Sequence, residues 1–279
     1  MPAYEMLGGA VRSRIRMYTH CRASAPDQAA KAARACVERG FTAIKTGLEP
    51  PIRFVDTPAY VDRAVERIAA LREAVGRGID IAIDFHGRST PAMSIRLARA
   101  LEPLQPMFIE EPCLPENVDA MAQVARATSI PVATGERLFT RWGFREVLEK
   151  QAAAILQPDA CHAGGIFEVR KIAAMAEAYY VSIAPHNPLG PISLAACLQV
   201  DACSLNFLAQ EHPGLENGWD LGQGYLKTPF EIRDGYIDLP RGPGLGIEVD
   251  EEVVRERSCD GGWRTPQIAY PEDGAFAEW

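Results

Sequence analysis

Residues 79–87 read IDIAIDFHG, and this stretch decides the fold of the chain. Its isoleucines fall at alternate positions and Asp84 ends the opposite face, which is the pattern of a β-strand with one apolar side. Two similar runs follow, MFIEEP at 107–112 and PVATGER at 131–137, with alanine-rich stretches of helical spacing between them. Strands that alternate with helices predict a parallel sheet, because parallel strands need a crossover between them.

The same alternation runs through most of the chain and predicts a TIM-type β/α barrel. Eight strands separated by helices is the number that closes such a barrel. An open doubly wound sheet is the alternative, but no G-x-G-x-x-G motif follows the first strand to favour it. We predict strands near residues 14–19, 41–45, 79–84, 107–110, 131–135, 154–157, 181–185 and 204–209. We predict helices near residues 26–39, 58–75, 91–101, 116–127, 140–150, 165–178 and 190–200.

After about residue 215 the alternation stops. Glycine and proline are dense in RGPGLGIEVDEE at 241–252, so only short strands are expected there. We therefore assign residues 1–215 to the barrel, with the metal and catalytic site. Residues 216–279 are predicted to form a tail that packs over the barrel.

The composition restricts the classes of function. Over 279 residues, 47% hydrophobic and 24% charged is ordinary for a globular protein with a full core. Seven scattered cysteines without a C-x-x-C pair argue against a disulfide framework or a thiolate metal site, and favour a reducing cytoplasm. No secretory leader and no apolar run of about 18 residues is seen, so neither secretion nor membrane spanning is expected. A net charge of −8 disfavours nucleic acid and anionic membranes as partners.

Three acidic residues end predicted strands at equal intervals. Glu110 follows Asp84 by 26 residues, and Glu136 follows Glu110 by another 26, about one β/α unit each. Neighbouring strands of a barrel end at one mouth, so we expect these carboxylates to converge there. Converging carboxylates repel one another unless a cation lies between them, and oxygen ligands favour Mg²⁺ over Zn²⁺. The alternative is that each acid is a separate loop or helix-capping carboxylate.

Strand parity assigns these side chains to faces. We expect His86 to point inward with Asp84 if the third strand extends that far. Glu136 is expected on the face of Val132. Glu111 has the opposite parity to its acidic neighbour, and we expect it to pair with another charged group.

Histidines follow several predicted strands. His186 shares a face with Ala184 at the end of the seventh strand, and Asp159 ends the neighbouring sixth strand. A carboxylate on one imidazole nitrogen fixes the tautomer and directs the other nitrogen toward a substrate. The alternative is a buried histidine that Asp159 satisfies for stability alone. We expect His20 and His162 to be loop or packing residues.

Four motifs, in this order, resemble the enolase superfamily and its mandelate racemase subgroup: DFHGR at 84–88, FIEEP at 108–112, TGER at 134–137 and PHNPLGPIS at 185–193. Within it the chain resembles the D-galactonate dehydratase family, from about Tyr4 to the terminal AEW. The resemblance implies a (β/α)7β barrel, a Mg²⁺ cofactor and dehydration of a sugar acid, an aldonate, to a 2-keto-3-deoxy acid. Members of the family carry an N-terminal α+β capping domain, which we expect to be absent from this chain. If the domain is present, we expect a homo-oligomer.

The resemblance further implies roles for individual residues. His186, backed by Asp159, would be the general base that removes the C2 proton, and His86 the general acid for the leaving 3-hydroxyl. Glu211 matches a glutamate that hydrogen-bonds the substrate carboxylate, and Lys45 would also bind substrate. The implied Mg²⁺ ligands are Asp84, Glu110 and Glu136.

One departure from the subgroup bears on the reaction. Its racemases carry Lys-x-Lys after the second strand, the second lysine being a base on the opposite face, whereas this chain has Lys45-Thr46-Gly47. One-base dehydration is therefore favoured over epimerisation or racemisation, and a truncated, non-catalytic remnant is the other alternative. A zinc hydrolase is disfavoured, because YTHCRAS at 18–24 offers only His20 where such barrels carry H-x-H.

Overall fold

The computed structural model describes residues 1–48, 51–213, 221–258, 261, 268–270 and 272–278. Eight parallel strands curl into one sheet in which consecutive strands are neighbours and the eighth strand returns to the first. The strands are β1 (Arg14–His20), β2 (Ala43–Gly47), β3 (Asp80–Asp84), β4 (Phe108–Glu110), β5 (Val132–Thr134), β6 (Ile155–Leu156), β7 (Ser182–Ile183) and β8 (Gln210–His212).

The sheet closes between β7 and the segment that precedes β8. Ile183 N donates to Asn206 O over 2.9 Å, and Leu208 N donates to Ile183 O over 2.8 Å. The ladder with β1 begins only at Gln210, so the eighth strand predicted at 204–209 is displaced toward the C-terminus. The (β/α)7β barrel itself is confirmed.

A helix follows each strand from β1 to β7, and proline or a polar cap fixes several helix starts. Pro58 and Pro91 occupy first-turn positions, where a missing N–H costs nothing. The Thr57 and Thr90 hydroxyls accept the N–H groups three residues onward. The helices are α1 (Ala3–Met6), α2 (Pro26–Glu38), α3 (Pro58–Val75), α4 (Pro91–Leu101), α5 (Val118–Ala127), α6 (Thr140–Glu149), α7 (Ile166–Ala178), α8 (Pro191–Cys203) and α9 (Glu251–Glu256), with a 3₁₀ turn at Glu102–Leu104.

The buried apolar residues form two layers, one between the sheet and the helices and one inside the barrel. The isoleucines Ile81 and Ile83 pack between the sheet and the helices, as their parity predicts. Inside the barrel, Tyr18 and Phe108 pack edge to face with ring centroids 6.3 Å apart. The interior layer takes one residue from each strand or its direct continuation: Tyr18, Ala43, Ala82, Phe108, Ala133, Ile155, Ala184 and Ala209.

The part of the tail that the structure describes contacts the barrel along β1. The strand β9 (Tyr236–Asp238) pairs antiparallel with the first half of β1, at the end opposite the mouth, and β10 (Ile268–Ala269) pairs with β11 (Phe276–Glu278). The predicted boundary between residues 215 and 216 lies outside the described residues. Among the helices that are described, none combines the length and the apolarity needed to cross a bilayer.

Candidate active site

The interior layer determines which side chains reach the mouth. Side chains alternate along a strand, so the residue two positions after each interior residue points the same way, at the C-terminal end of the strand. The polar side chains in these positions are His20, Lys45, Asp84, Glu110, Gln157, His186 and Glu211.

Glu136 reaches the mouth by a different route from the one parity predicts. The interior residue of β5 is Ala133, whereas Val132 packs in the outer layer, so the predicted shared face was wrong. The strand ends at Thr134 and Gly135 follows at φ +150°, where a Cβ would lie 2.7 Å from the Gln157 backbone. This turn, which only glycine fits, redirects the next side chain into the site.

His86 also depends on a turn. The third strand ends at Asp84 instead of extending, and His86 has a left-handed φ of 54°. Its backbone N–H donates to Asp84 Oδ1 over 2.7 Å, which stabilises the turn. Its Nε2 lies 3.8 Å from Glu136 Oε1. Burial lowers the pKa of His86 to about 4, so its ring is neutral near pH 7 in this arrangement.

Lys45 lies between three carboxylates. Its Nζ is 2.9 Å from Glu110 Oε1, 2.6 Å from Glu211 Oε1 and 3.5 Å from Asp84 Oδ2. Burial alone would lower the pKa of Lys45, but Glu110, Glu211 and Asp84 outweigh it and raise that pKa well above its ordinary value. The ammonium therefore stays charged and neutralises part of the cluster. The predicted contact of Lys45 with substrate stays a prediction.

Burial and mutual repulsion oppose ionisation of two acids of the mouth, Glu136 and Glu110. Burial and repulsion from Glu110 and Asp84 raise the pKa of Glu136 to about 9. Burial and Asp84 also raise the pKa of Glu110, which is fully buried. An oxygen-only set of this kind fits a hard divalent cation, which would favour the ionised carboxylates. Within the described ranges, no three His, Cys, Asp or Glu side chains are placed as they stand to hold an ion.

His186 and Asp159 form a dyad on neighbouring strands. His186 Nδ1 lies 2.8 Å from Asp159 Oδ2, and the other carboxylate oxygen accepts the N–H of Cys161 over 2.7 Å. Although burial acts to raise it, the hydrogen bond with His186 brings the pKa of Asp159 below its ordinary value. Because Asp159 is an anion, Nδ1 of His186 carries the proton and Nε2 faces the mouth, 3.4 Å from Glu136 Oε2. His162, on the loop after β6, is half exposed.

Glu111 and Arg137 flank the acids. Glu111 is fully buried, and its carboxylate pairs with the Arg137 guanidinium, which also lies 2.9 Å from Glu136 Oε1. The pairing of Glu111 with another charged group agrees with its predicted parity.

His20 is the last residue of β1, so its predicted position in a loop was wrong, and its ring contacts Glu211 at the mouth. Its Nε2 lies 2.7 Å from Glu211 Oε1, and Arg22 approaches its Nδ1 at 3.1 Å. Burial, opposed by Glu211, lowers the pKa of His20. His20 lies two residues after Tyr18, and only the folded barrel shows that Tyr18 fills its interior.

Comparison with known proteins identifies the family. The family model described as enolase C-terminal domain-like matches residues 27–253. The chain belongs to the enolase superfamily. Solved relatives include a mandelate racemase/muconate lactonizing enzyme-like protein from Rubrobacter xylanophilus, 38% identical with a TM-score of 0.86, covering 93% of this chain and 72% of that one. A member of the enolase superfamily from Salmonella Typhimurium is 32% identical with a TM-score of 0.85, covering 91% of this chain and 70% of that one.

Curated relatives of this enolase-superfamily chain include D-galactonate dehydratases. The protein of that name from Ralstonia nicotianae is 45% identical over 287 residues, which cover 100% of this chain and 74% of the relative. The D-galactonate dehydratase from Pectobacterium atrosepticum is 42% identical over 285 residues, with the same coverage of 100% and 74%.

Proposed function

We propose that this chain is the barrel of a magnesium-dependent hydro-lyase that removes water from an aldonate such as D-galactonate and yields a 2-keto-3-deoxy sugar acid. The observation that carries the proposal is the His186–Asp159 dyad, which faces a cluster of acids across the mouth. Relatives called D-galactonate dehydratases, at 42–45% identity over the whole chain, support the substrate class.

His186 is the proposed general base. With Nδ1 held by Asp159, Nε2 is the free basic nitrogen, and it is available to accept the C2 proton of a bound sugar acid. Asp159 remains an anion, so it also stabilises the imidazolium that forms when His186 takes the proton.

Asp84, Glu110 and Glu136 are the proposed Mg²⁺ ligands. When bound, the cation supplies electrostatic stabilisation of the negative charge that develops on the substrate carboxylate as the C2 proton leaves. Among the described residues, Lys45 supplies the only cationic group within hydrogen-bonding distance of Glu110.

His86 is the proposed general acid for the departing 3-hydroxyl. It approaches Glu136 from β3, whereas His186 approaches Glu136 from β7, so the two imidazoles border the same space from different strands. An anionic substrate favours the imidazolium form of His86, because a neighbouring carboxylate raises a histidine pKa. One imidazole then accepts a proton and the other donates one.

The protonated state of Lys45 disfavours an epimerase or racemase. Two-face proton exchange needs a neutral base on each side of the substrate carbon. Lys45 is 4% exposed, contacts three carboxylates, and has a pKa raised well above its ordinary value, so it does not accept a proton near pH 7.

The test is turnover of a panel of aldonates, D-galactonate among them, by the purified chain with Mg²⁺. The expected product is a 2-keto-3-deoxy acid, measured by semicarbazone absorbance and identified by NMR, with no C2 epimer formed. A chain that binds Mg²⁺ yet converts no aldonate contradicts the proposal. The C2 epimer as the main product favours the epimerase instead.

A further inference from the structure

The segment that carries His186 leaves the hydrogen-bond ladder of the barrel before it reaches the base. The strand β7 ends at Ile183, and the next residue, Ala184, makes the last backbone hydrogen bond to β6, from its N–H to Leu156 O over 2.9 Å. In the part of the chain that the structure describes, the backbone of residues 185–187 makes no hydrogen bond with another backbone group. Side chains must therefore fix the backbone of the base.

Gln210, on β8, contacts this segment directly before the base. Its Nε2 donates to Pro185 O over 3.1 Å and to Glu211 O over 3.0 Å. Carbonyl oxygens only accept hydrogen bonds, so the amide nitrogen must be the end that faces them. Pro185 immediately precedes His186, and a proline has no N–H by which a ladder could hold it instead. The amide of Gln210 therefore takes the place of the missing ladder.

A second contact holds the other side of the base. The backbone N–H of Asn187 donates to Glu211 Oε2 over 2.8 Å. Gln210 and Glu211 are adjacent on β8, so their side chains leave the strand on opposite faces. The backbone on both sides of His186 is thus held by adjacent residues of one strand.

Gln210 acts from behind the mouth. Its neighbour Ala209 packs inside the barrel, so the Gln210 side chain lies on the outer face of the sheet, where it is fully buried. Its Oε1 has no hydrogen-bond partner among the described residues. A buried, unpaired acceptor opposes folding, and an apolar side chain at this position would not carry one. The donation to the two carbonyls is therefore what the amide contributes.

We propose that Gln210 is a positioning residue for the base: by holding the Pro185 carbonyl it fixes the backbone from which His186 meets Asp159, and so keeps Nε2 directed into the mouth. Its effect on proton removal rests on the proposed aldonate dehydratase function. Its hold on the His186 segment rests only on the contacts above.

The first experiment does not depend on turnover. A histidine Nδ1–H that donates to a carboxylate gives a downfield ¹H NMR signal when its exchange with water is slow, and the His186 signal is assigned by its absence from His186→Asn. Gln210→Met keeps the length of the side chain and removes the donor. We expect this proton to exchange with water about tenfold faster in Gln210→Met than in the parent, because one buried hydrogen bond no longer opposes opening of the segment.

Gln199→Met is the matched control. Gln199 is also a fully buried glutamine whose Nε2 donates to a backbone carbonyl, that of Leu245 over 3.0 Å, but it lies on α8 and contacts the N-terminal segment. We expect the His186 signal of this variant to exchange as in the parent. A parent without the signal, a folded Gln210→Met with the parent's exchange rate, or equal acceleration in both variants overturns the proposal. If Gln210→Met does not fold, Gln210→Asn, one methylene too short to reach Pro185, replaces it, with Gln199→Asn as its control.

The second experiment measures turnover. A displaced base removes the C2 proton more slowly, while the contacts that bind substrate remain. For an aldonate that the parent converts, we expect kcat to fall about tenfold in Gln210→Met, with KM changed by less than about threefold. Gln199→Met should keep the parent's kcat per folded molecule.

The outcomes separate the two proposals. A folded Gln210→Met with the parent's kcat, or with a raised KM alone, contradicts the role of Gln210 in proton removal. If the parent converts no aldonate, the proposed function fails, and the NMR result still decides whether Gln210 holds the His186 segment.

Discussion

His186 Nδ1 lies 2.8 Å from Asp159 Oδ2, and the same aspartate accepts backbone N–H groups of Cys161 and His162 through its other oxygen, at 2.7 and 3.1 Å. The carboxylate is therefore held by the loop after β6 while it orients a ring that follows β7. This arrangement keeps the basic nitrogen of His186 directed at the acids of the mouth.

The first prediction concerns this dyad. Asp159→Asn preserves the size of the side chain but removes the charge that stabilises the imidazolium, and its amide allows the wrong tautomer of His186. We expect kcat for aldonate dehydration to fall by about 10²–10⁴-fold, with KM changed much less. Steady-state kinetics measure the effect, and circular dichroism with a melting curve controls for folding. Near-parent kcat in a folded Asp159→Asn contradicts the assignment of the base.

The second prediction concerns the metal. The acids of the mouth repel one another, so a cation bound only by the native state raises stability, by about 2.7 kcal/mol at a Mg²⁺ concentration 100 times Kd. EDTA is expected to lower the melting temperature of the Mg²⁺-loaded protein. Glu110→Gln should remove most of that shift, whereas Glu149→Gln, on the exposed surface of α6, should keep it. If the Glu110→Gln protein responds to Mg²⁺ as the parent does, Glu110 is not a metal ligand.

The third prediction concerns the barrel interior. Phe108 is fully buried against Tyr18, so Phe108→Ala leaves a cavity among small alanines that do not fill it. We expect a loss of about 3–5 kcal/mol in the free energy of unfolding. Phe54→Ala is the control, since Phe54 is 74% exposed and its removal should change stability by less than about 0.5 kcal/mol. Urea denaturation of both variants measures the difference, and equal losses contradict the interior placement of Phe108.

Strand parity predicted much of the mouth, because it needs only an extended chain and the knowledge of which face is apolar. It assigned Asp84, Glu110 and His186 to the positions they occupy. It also placed Glu136 and His86 at the mouth, but by the wrong route, because Gly135 and a left-handed backbone at His86 redirect the chain after their strands end. The alternation of side chains along a strand does not predict which way a side chain points beyond such a turn.

The contacts of Glu211 were beyond prediction for another reason. Its hydrogen-bond and ion-pair partners come from β1, β2 and the loop after β7, and their distances depend on how the barrel closes. The contact of His20 with Glu211 was missed, because the direction of Tyr18, and with it that of His20, is known only once the eight strands form a closed barrel.

The fourth prediction concerns a buried acid at the end of α8. Asp201 is fully buried, and neither carboxylate oxygen has a hydrogen-bond partner among the described residues. Burial, only partly opposed by Arg12, raises the pKa of Asp201 well above its ordinary value. A carboxyl whose pKa is higher in the folded than in the unfolded protein binds its proton more tightly in the folded state. Its contribution to stability is therefore full below the unfolded-state pKa of about 4 and is lost as pH rises.

Asp201→Asn removes that pH-dependent cost. We expect the variant to exceed the parent by about 1–3 kcal/mol in free energy of unfolding at pH 8, and the difference to shrink toward pH 4.5. Asp62→Asn, on the exposed face of α3, should show no such trend. Denaturation curves at both pH values measure the change, and a pH-independent difference contradicts the argument.

The last prediction separates the two histidines by the order of chemical events. If His186 takes the C2 proton, His186→Asn abolishes both dehydration and exchange of that proton with D₂O. If His86 acts only afterwards, His86→Asn still allows proton removal, while loss of the 3-hydroxyl stalls for want of an acid. NMR of an aldonate that the parent converts follows the C2 signal and the 2-keto-3-deoxy product separately in D₂O. A base shielded from solvent returns the same proton, so the informative pair is exchange without elimination in His86→Asn and neither process in His186→Asn. Exchange that persists in His186→Asn and vanishes in His86→Asn reverses the assignment, because the ring that remains would then be the one that removes the proton.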